Sequence, residues 1–398
     1  MQKSKGTIIC RVKLWSILLA CIASLLCITP EIVPYSMLGY LKYSWILPLL
    51  ILLTDSPRDF IDSRLKPIYV FTGIMVIYAV VMQIFSQKQY IGMNIYDFVI
   101  STAVVAISFV YLKNEDKAIF FRGLCVSLTA ISLILALLLV VRHLMSSDLS
   151  GYSSGYEFKN TTAFSLCCIL ALIYSRLNTT HNSRLRLYYA FAFVTIATVI
   201  VLLRSRATYL CLGFLLIYIV LNIRNRRLRI SMIIAMAVIV AAAVIITPLN
   251  NLLIKTLILG NRDFTDINLL SSFRLSAFEE ILESMPGNWL FGIGSVYLDC
   301  YPIQILFSFG ILGAIPVFTF LVYLGIKASD SRKNEVSVFS TPLYLLFFIS
   351  IINCIFEAYP PFGPGLRCFL LWISYAGVLA ETPVRMKHGE DRRSLIRQ

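Results

Sequence analysis

The sequence predicts an all-α, polytopic membrane protein with about 12 transmembrane helices and one large structured loop on the outer face. Three observations predict it. Of 398 residues, 58% are apolar and only 14% charged, with a mean hydropathy of +0.80, far from the balance of a soluble domain. Nearly uncharged apolar runs recur along the whole chain, close to the roughly 20 helical residues that a bilayer core of about 30 Å requires. Lys and Arg collect in alternate connections, as they do where loops alternate between cytoplasm and exterior.

In chain order the runs are Leu14 to Thr29, Met37 to Leu53, Pro67 to Phe85, Ile95 to Leu112, Gly123 to Val141 and Thr161 to Ser175. They continue with Leu187 to Leu203, Ala207 to Asn222, Ile230 to Thr247, Pro302 to Ile326, Phe339 to Phe356 and Cys368 to Ala380. Lys42 and Asp97 are the charges tolerated inside them, each near an outer end. Continuous runs without apolar/polar alternation read as helices rather than barrel strands. The first run follows Lys3, Lys5, Arg11 and Lys13 but has no convincing small-residue cleavage site, so it is expected to be helix one. Both termini are then cytoplasmic, and 25 of the 35 Lys and Arg residues fall on the inner side.

This topology accounts for most of the net charge of +14. No basic patch with interleaved aromatics accompanies it, so no nucleic-acid partner is expected. Of 10 cysteines only Cys300 sits clearly in an outer loop, which implies a free thiol rather than a disulfide framework. No metal-ligand spacing, phosphate-binding Gly-rich loop or nucleophile elbow occurs, and no metal or cofactor is expected. Of the three histidines, only His143 is placed at an outer helix end, where it reads as an interfacial polar group.

The chain reads as a single membrane domain over residues 1–398, interrupted only by a large outer loop over residues 248–301. Long structured loops usually carry function. Within it Leu270, Phe273, Ala277, Phe278, Ile281, Leu282 and Met285 recur at helical spacing, with Ser271 or Ser272 as cap and Pro286-Gly287 as stop. This predicts an amphipathic helix on the membrane surface with Arg274 in its first turn. Trp289 to Ser295 follows, with aromatics suited to the interface and glycines suited to a tight turn.

Arginines on the outer side run against the basic bias, and each has a plain explanation as a headgroup or surface charge. Four of them facing one compartment, Arg204, Arg206, Arg274 and Arg367, favour an anionic ligand, because guanidinium forks match phosphate geometry. Asp299 and Glu357 are the acidic candidates near that face; an outer carboxylate becomes a useful base when partly desolvated, and is otherwise an ordinary loop charge. Asn160, before Thr161 and Thr162, reads most simply as a helix cap.

Taken in order, Leu203-Arg204-Ser205-Arg206-Ala207-Thr208, Phe273-Arg274-Leu275, Met285-Pro286, Leu290 to Gly294 and Gln304 to Gly313 resemble the motifs of the O-antigen polymerase and O-antigen ligase superfamily. Tyr156 to Ala163 is a weaker match. The stronger portion covers roughly Leu203 to Ile326. That family usually places a His-Asn pair where this chain has Asp299 and Cys300, and the substitution favours the polymerase over the ligase, whose histidine is thought to activate the acceptor hydroxyl.

The resemblance implies a metal-independent glycosyltransferase of the bacterial inner membrane. It would join undecaprenyl-pyrophosphate-linked oligosaccharide units of O-antigen or capsule at the periplasmic face, without a cofactor and beside a chain-length regulator protein. Arg206 and Arg274 would bind the pyrophosphate and stabilise charge on it, while Asp299 would orient or deprotonate the acceptor hydroxyl. Arg204, Arg367, Asn160 and Gln304 would complete the substrate site, Trp289 would stack on sugar, and membrane lipids would surround the helices. Two alternatives stand beside this reading: a ligase transferring polymer to lipid A-core, and a polysaccharide flippase or other transporter, against which no internal repeat is evident.

Overall fold

The structure, a computed structural model, describes residues 2–26, 41–145, 159–245 and 274–382. Among them the fold is all-helical, with no strand. The helices are α1 Gln2–Leu26, α2 Ile46–Asp55, α3 Lys66–Ser86, α4 Met93–Asn114, α5 Lys117–Met145, α6 Lys159–Thr179, α7 Ser183–Leu202, α8 Arg206–Leu221, α9 Arg226–Ile245, α10 Arg274–Glu283, α11 Tyr301–Lys333, α12 Ser340–Cys354 and α13 Leu366–Glu381. Each of the 12 apolar runs falls on one of these, and α10 is the helix expected inside the large loop. Residues 248–273 of that loop, with the capping serines Ser271 and Ser272, lie outside the described residues, as do Tyr156, the ends of the first two runs, and His388.

Six of the helices are long and apolar enough to cross a membrane: the segment Ser63–Ser86 that contains α3, then α4, α5, α6, α7 and α11. Others are shorter. α8 has 16 residues and α12 has 15, which at 1.5 Å per residue is about 24 Å or less. The run Ala207 to Asn222 already has the length of α8, whereas the apolar run at α12 continues to Phe356, past the helix end at Cys354.

The bundle is layered around α13. Leu366 to Leu379 are buried without interruption, and α13 runs against α4, α6, α12 and α1. α6 is equally enclosed from Thr162 to Ser175. A helix apolar all round is stable only when protein or lipid surrounds it. Lipid is the natural surround for the outer layer, where Phe85 on α3 is 82% exposed and Leu187 on α7 is 73% exposed, with Ile77, Ile84, Phe191, Val194 and Val322 also open. In water these faces would form an apolar patch far beyond what soluble proteins tolerate.

Charges separate to the two ends of the bundle. At one end Lys13 meets Asp55 at 2.5 Å, Lys113 meets Asp59 at 2.7 Å and Asp62 at 2.9 Å, and Arg64 bonds Asp62 at 2.8 Å. Arg64 also donates to the carbonyl of Ala380 at the end of α13, at 3.3 Å, where a cation suits the helix dipole. All three basic residues are among those expected on the inner side. At the opposite end stand Arg274 and Arg367.

Two features there depart from simple spans. The first is a break in α11: Gly310 has φ 64° and ψ −174°, a conformation open to glycine almost alone. The segment Trp289 to Gly294 fills the break. Ile311 and Leu312 donate their amides to the carbonyls of Trp289 and Leu290 at 2.9 and 3.1 Å, and Ile293 and Gly294 donate to the carbonyls of Phe307 and Ser308 at 2.9 and 3.2 Å. Every one of these groups would otherwise be an orphan beside lipid. Tyr78 closes the joint by donating to the carbonyl of Phe309 at 2.6 Å. The backbones approach so closely that a Cβ on Gly292 would lie 2.5 Å from the Ser308 carbonyl oxygen. The glycines expected to make a tight turn thus do more: Gly292 and Gly310 interlock loop and helix.

The second feature is the connection from Ile355 to Gly365, which folds back into the bundle instead of covering its end. Ala358, Pro360, Pro361 and Phe362 are buried. Phe362 stacks on Phe71 at 5.4 Å and meets Phe98 at 4.8 Å and Trp372 at 4.9 Å. Trp372 donates its indole N–H to the carbonyl of Pro361 at 3.1 Å, satisfying non-helical backbone inside protein, the only place it is tolerated at membrane depth.

Candidate functional site

These two features bring the site together. Asn94 on α4 and Gln304 on α11 form its frame, Gln304 donating to Asn94 at 2.7 Å and to the carbonyl of Ala358 at 3.4 Å while accepting from the Leu298 amide at 2.9 Å. Gln304 is 2% exposed, and its bonds tie the segment bearing Asp299 to the returning loop bearing Glu357. The Tyr301 amide donates to the carbonyl of Glu357 at 3.2 Å, a second tie.

Arg274, the first described residue of α10, reaches between two carboxylates. Its Nε lies 3.4 Å from Asp299 Oδ2, and one terminal nitrogen lies 3.7 Å from Glu357 Oε1. Both separations exceed the roughly 2.7–2.9 Å of a tight charge-assisted bond, so the guanidinium retains hydrogen-bonding capacity. α10 is held against α11 by Phe278 stacking on Phe307 at 5.6 Å. Arg274, Phe278, Ile281 and Met285 face the protein, while Leu275 and Leu282 remain exposed. The helix is amphipathic as expected, and part of its apolar face packs on protein.

Arg367 lies deeper, 4% exposed in the first turn of α13. One terminal nitrogen donates to Thr161 Oγ1 at 3.0 Å, the guanidinium sits 4.8 Å over the Tyr359 ring, and among the described residues Nε has no hydrogen-bond partner. A buried guanidinium requires compensating charge, and Glu357 and Asp97, 9% and 6% exposed, supply it from within electrostatic range. Asn160, in the first turn of α6, addresses the Glu357 carboxylate, so it belongs to this cluster beyond any role at its helix end. Tyr297 donates its hydroxyl to Asp299 Oδ1 at 3.0 Å.

Burial raises the Glu357 pKa; Arg367 pulls it down, Asp299 pushes it up, and Arg274 and Asn160 lower it again, leaving the carboxyl above the ordinary glutamate range. Burial likewise raises the Tyr359 and Cys300 side chains. Cys300 is a free thiol, half buried. Among the described residues no three His, Cys, Asp or Glu side chains gather as a metal ion would need.

Of the residues singled out from the sequence, Arg274, Asp299, Arg367 and Asn160 converge here with Glu357, and Gln304 braces them. Trp289 is 43% exposed and packs edge-on against Phe307 at 6.4 Å, beside rather than within the charged cluster. Arg204 and Arg206 flank the turn between α7 and α8, where Arg204 adopts φ 51° and both are half buried. They share the cluster's end of the bundle. α8 and α12 run antiparallel, with Tyr218 against Tyr344 at 5.6 Å, Phe214 against Phe348 at 5.9 Å and Cys211 bonded to Ile349 at 3.3 Å. That register sets Arg206 level with the end of α12, just before Glu357.

The sequence alone did not mark Asn94, offered the outer tyrosines only collectively as candidate sugar-stacking groups beside Trp289, and treated Asp97 only as a charge tolerated near a helix end. A signal for Asp97 was available: an ionisable residue within an apolar run commonly lies near an opposite charge, and here Arg367 is within electrostatic range.

Fold and site define a helical membrane protein with a cluster of arginines and carboxylates at one end of its bundle. No protein-family model matches the chain, and neither does any curated protein.

Proposed function

We propose that the protein is a repeat-unit polymerase of O-antigen or capsule, a glycosyltransferase joining undecaprenyl-pyrophosphate-linked oligosaccharides at the periplasmic face of the bacterial inner membrane. The observation that carries this reading is Arg274 held loosely between Asp299 and Glu357: an anion-binding guanidinium and two carboxylates meet at one end of a lipid-embedded bundle. Glycosyl transfer from a lipid pyrophosphate needs these parts. A cation stabilises the phosphate oxygen as the bond from the anomeric carbon breaks, and a carboxylate orients the incoming hydroxyl. Arg274 supplies the first with Arg206 from the neighbouring turn, and Asp299 supplies the second. Arg204, Arg367 and Asn160 hold the remaining polar groups of the substrate, Trp289 stacks on sugar at the rim, and the polyprenyl tails lie along the lipid-facing helices. A chain-length regulator is the expected protein partner.

The sequence motifs from Leu203 to Gly313 support the same reading, and the Gly292 and Gly310 interlock gives two of their glycines a physical reason. The broken α11 and the returning loop also occur in the architecture of transporters, and so favour a flippase as the second reading. In transporters such breaks coordinate cargo; here the backbone groups freed at Gly310 are bonded to Trp289 to Gly294.

The test is surface polysaccharide from cells carrying Arg206→Ala or Arg274→Ala at normal protein level. Each is expected to leave single repeat units in place of long chains. Long polymer from both variants contradicts the pyrophosphate role, and loss of every glycan, single units included, supports the transporter.

A further inference from the structure

The site contains two carboxylates beside one guanidinium, and their surroundings differ. Both oxygens of Asp299 are engaged, Oδ1 by the Tyr297 hydroxyl at 3.0 Å and Oδ2 by Arg274 Nε at 3.4 Å, and the side chain is 35% exposed. Glu357 is enclosed, its side chain 12% exposed, and among the described residues its Oε1 accepts no hydrogen bond, with Arg274 the cation beside it at 3.7 Å. A carboxylate that accepts hydrogen bonds in an open setting is a weak base, whereas one withdrawn from water with a free oxygen is a strong one. Glu357 is also fixed in place: its own carbonyl accepts from Tyr301, the next residue's carbonyl accepts from Gln304, and its loop is anchored by Phe362 between four helices.

We infer that Glu357 is the proton acceptor of the transfer step, with Asp299 acting as a positioning residue for Arg274 and the incoming sugar. The inference rests on the polymerase reading. In the step it describes, the acceptor hydroxyl gives its proton to Glu357 Oε1 as its oxygen bonds to the donor's anomeric carbon. The bond from that carbon to the pyrophosphate oxygen breaks, the electron pair stays on the pyrophosphate, and Arg274 stabilises it. Glu357 then loses the proton to water and the cycle closes. Arg367 and Asn160 favour the charged form of Glu357 and so offset part of the effect of burial.

The experiment uses purified full-length protein in proteoliposomes and, as probe, the polyprenyl-pyrophosphate oligosaccharide that accumulates in cells lacking the protein. Glu357→Gln keeps shape and hydrogen bonding and removes the basic oxygen. Its turnover is expected to fall about 100-fold or more while probe affinity stays within about twofold, and Asp299→Asn is expected to raise KM with a smaller loss in kcat. Turnover of Glu357→Gln above about a tenth of wild type overturns the inference, and so does loss of probe binding in that variant, which marks a structural role. If wild type forms no polymer, the polymerase reading falls and the inference with it; if wild type polymerises, Arg274→Ala is dead and Glu357→Gln is active, only the inference falls.

Discussion

At the residue scale, the site turns on how much water each charged group keeps. Arg367 and Glu357 are both buried, and each offsets part of the other's cost of leaving water, with Asp97 also within range of Arg367. The groups that face Glu357 are Arg274 from α10, Asp299 from the adjoining turn, Arg367 from α13 and Asn160 from α6, with Tyr297 and Tyr359 close by. Because burial holds the Glu357 pKa above the usual value of about 4.3, the acid limb of the kcat profile should lie above that of an ordinary glutamate and should vanish in Glu357→Gln. The linked effect on stability has the opposite sign. A carboxyl whose pKa is raised by folding binds its proton more tightly in the folded state, so this group's contribution falls as pH rises from the unfolded toward the folded pKa. Mild acid should therefore reduce activity before it reduces the thermal midpoint. A loss of activity that tracks unfolding at every pH contradicts the assignment.

At the element scale, a break and a fold-back place the reacting groups. Apolar length announced the helices, and the order of glycines in Leu290 to Gly294 and Phe309 to Gly313 was visible, but their joining was not. The residues flanking 292 and 310 bond through backbone, and backbone contacts between distant segments leave no pattern in side-chain hydropathy. The returning loop escaped for a related reason: Tyr359 to Gly365 is nearly uncharged and reads as a short outer connection, and only its packing against Phe71, Phe98 and Trp372 reveals that it turns inward. Gly310→Ala tests the joint. The new Cβ would strike the Leu290 carbonyl and force a residue into a glycine conformation, a strain of about 1–3 kcal/mol before the collision is counted. The expected result is a lower thermal midpoint in detergent and a sharp loss of folded protein. Gly213→Ala serves as the control, since a Cβ there meets nothing within 4 Å. Equal stability of the two variants contradicts the interlock.

At the scale of the whole molecule, the alternation of charge along the chain becomes a division between two ends. Basic residues expected inside, Lys13, Arg64, Lys113 and Arg332, are neutralised by carboxylates and helix carbonyls or bonded to a tyrosine, as befits groups that fix a bundle. Arg274 and Arg367, expected outside, differ from these: Arg274 lies loosely between two carboxylates, and Arg367 leaves its buried Nε without a hydrogen-bond partner among the described residues. That contrast was legible in part: topology singled out the outer arginines, but only the fold separates Arg367, buried beside Glu357, from Arg204 and Arg206 at the neighbouring turn. The central claim is that this end of the bundle joins lipid-linked sugars, and the most direct measurement is the product formed by purified protein in liposomes supplied with a polyprenyl-pyrophosphate oligosaccharide on the face that carries Arg274. The account predicts a ladder of lengthening chains and one free polyprenyl pyrophosphate released per unit added, both absent with Arg274→Ala. Oligosaccharide that crosses the bilayer without changing length, or remains where it was with no pyrophosphate lipid released, would contradict it.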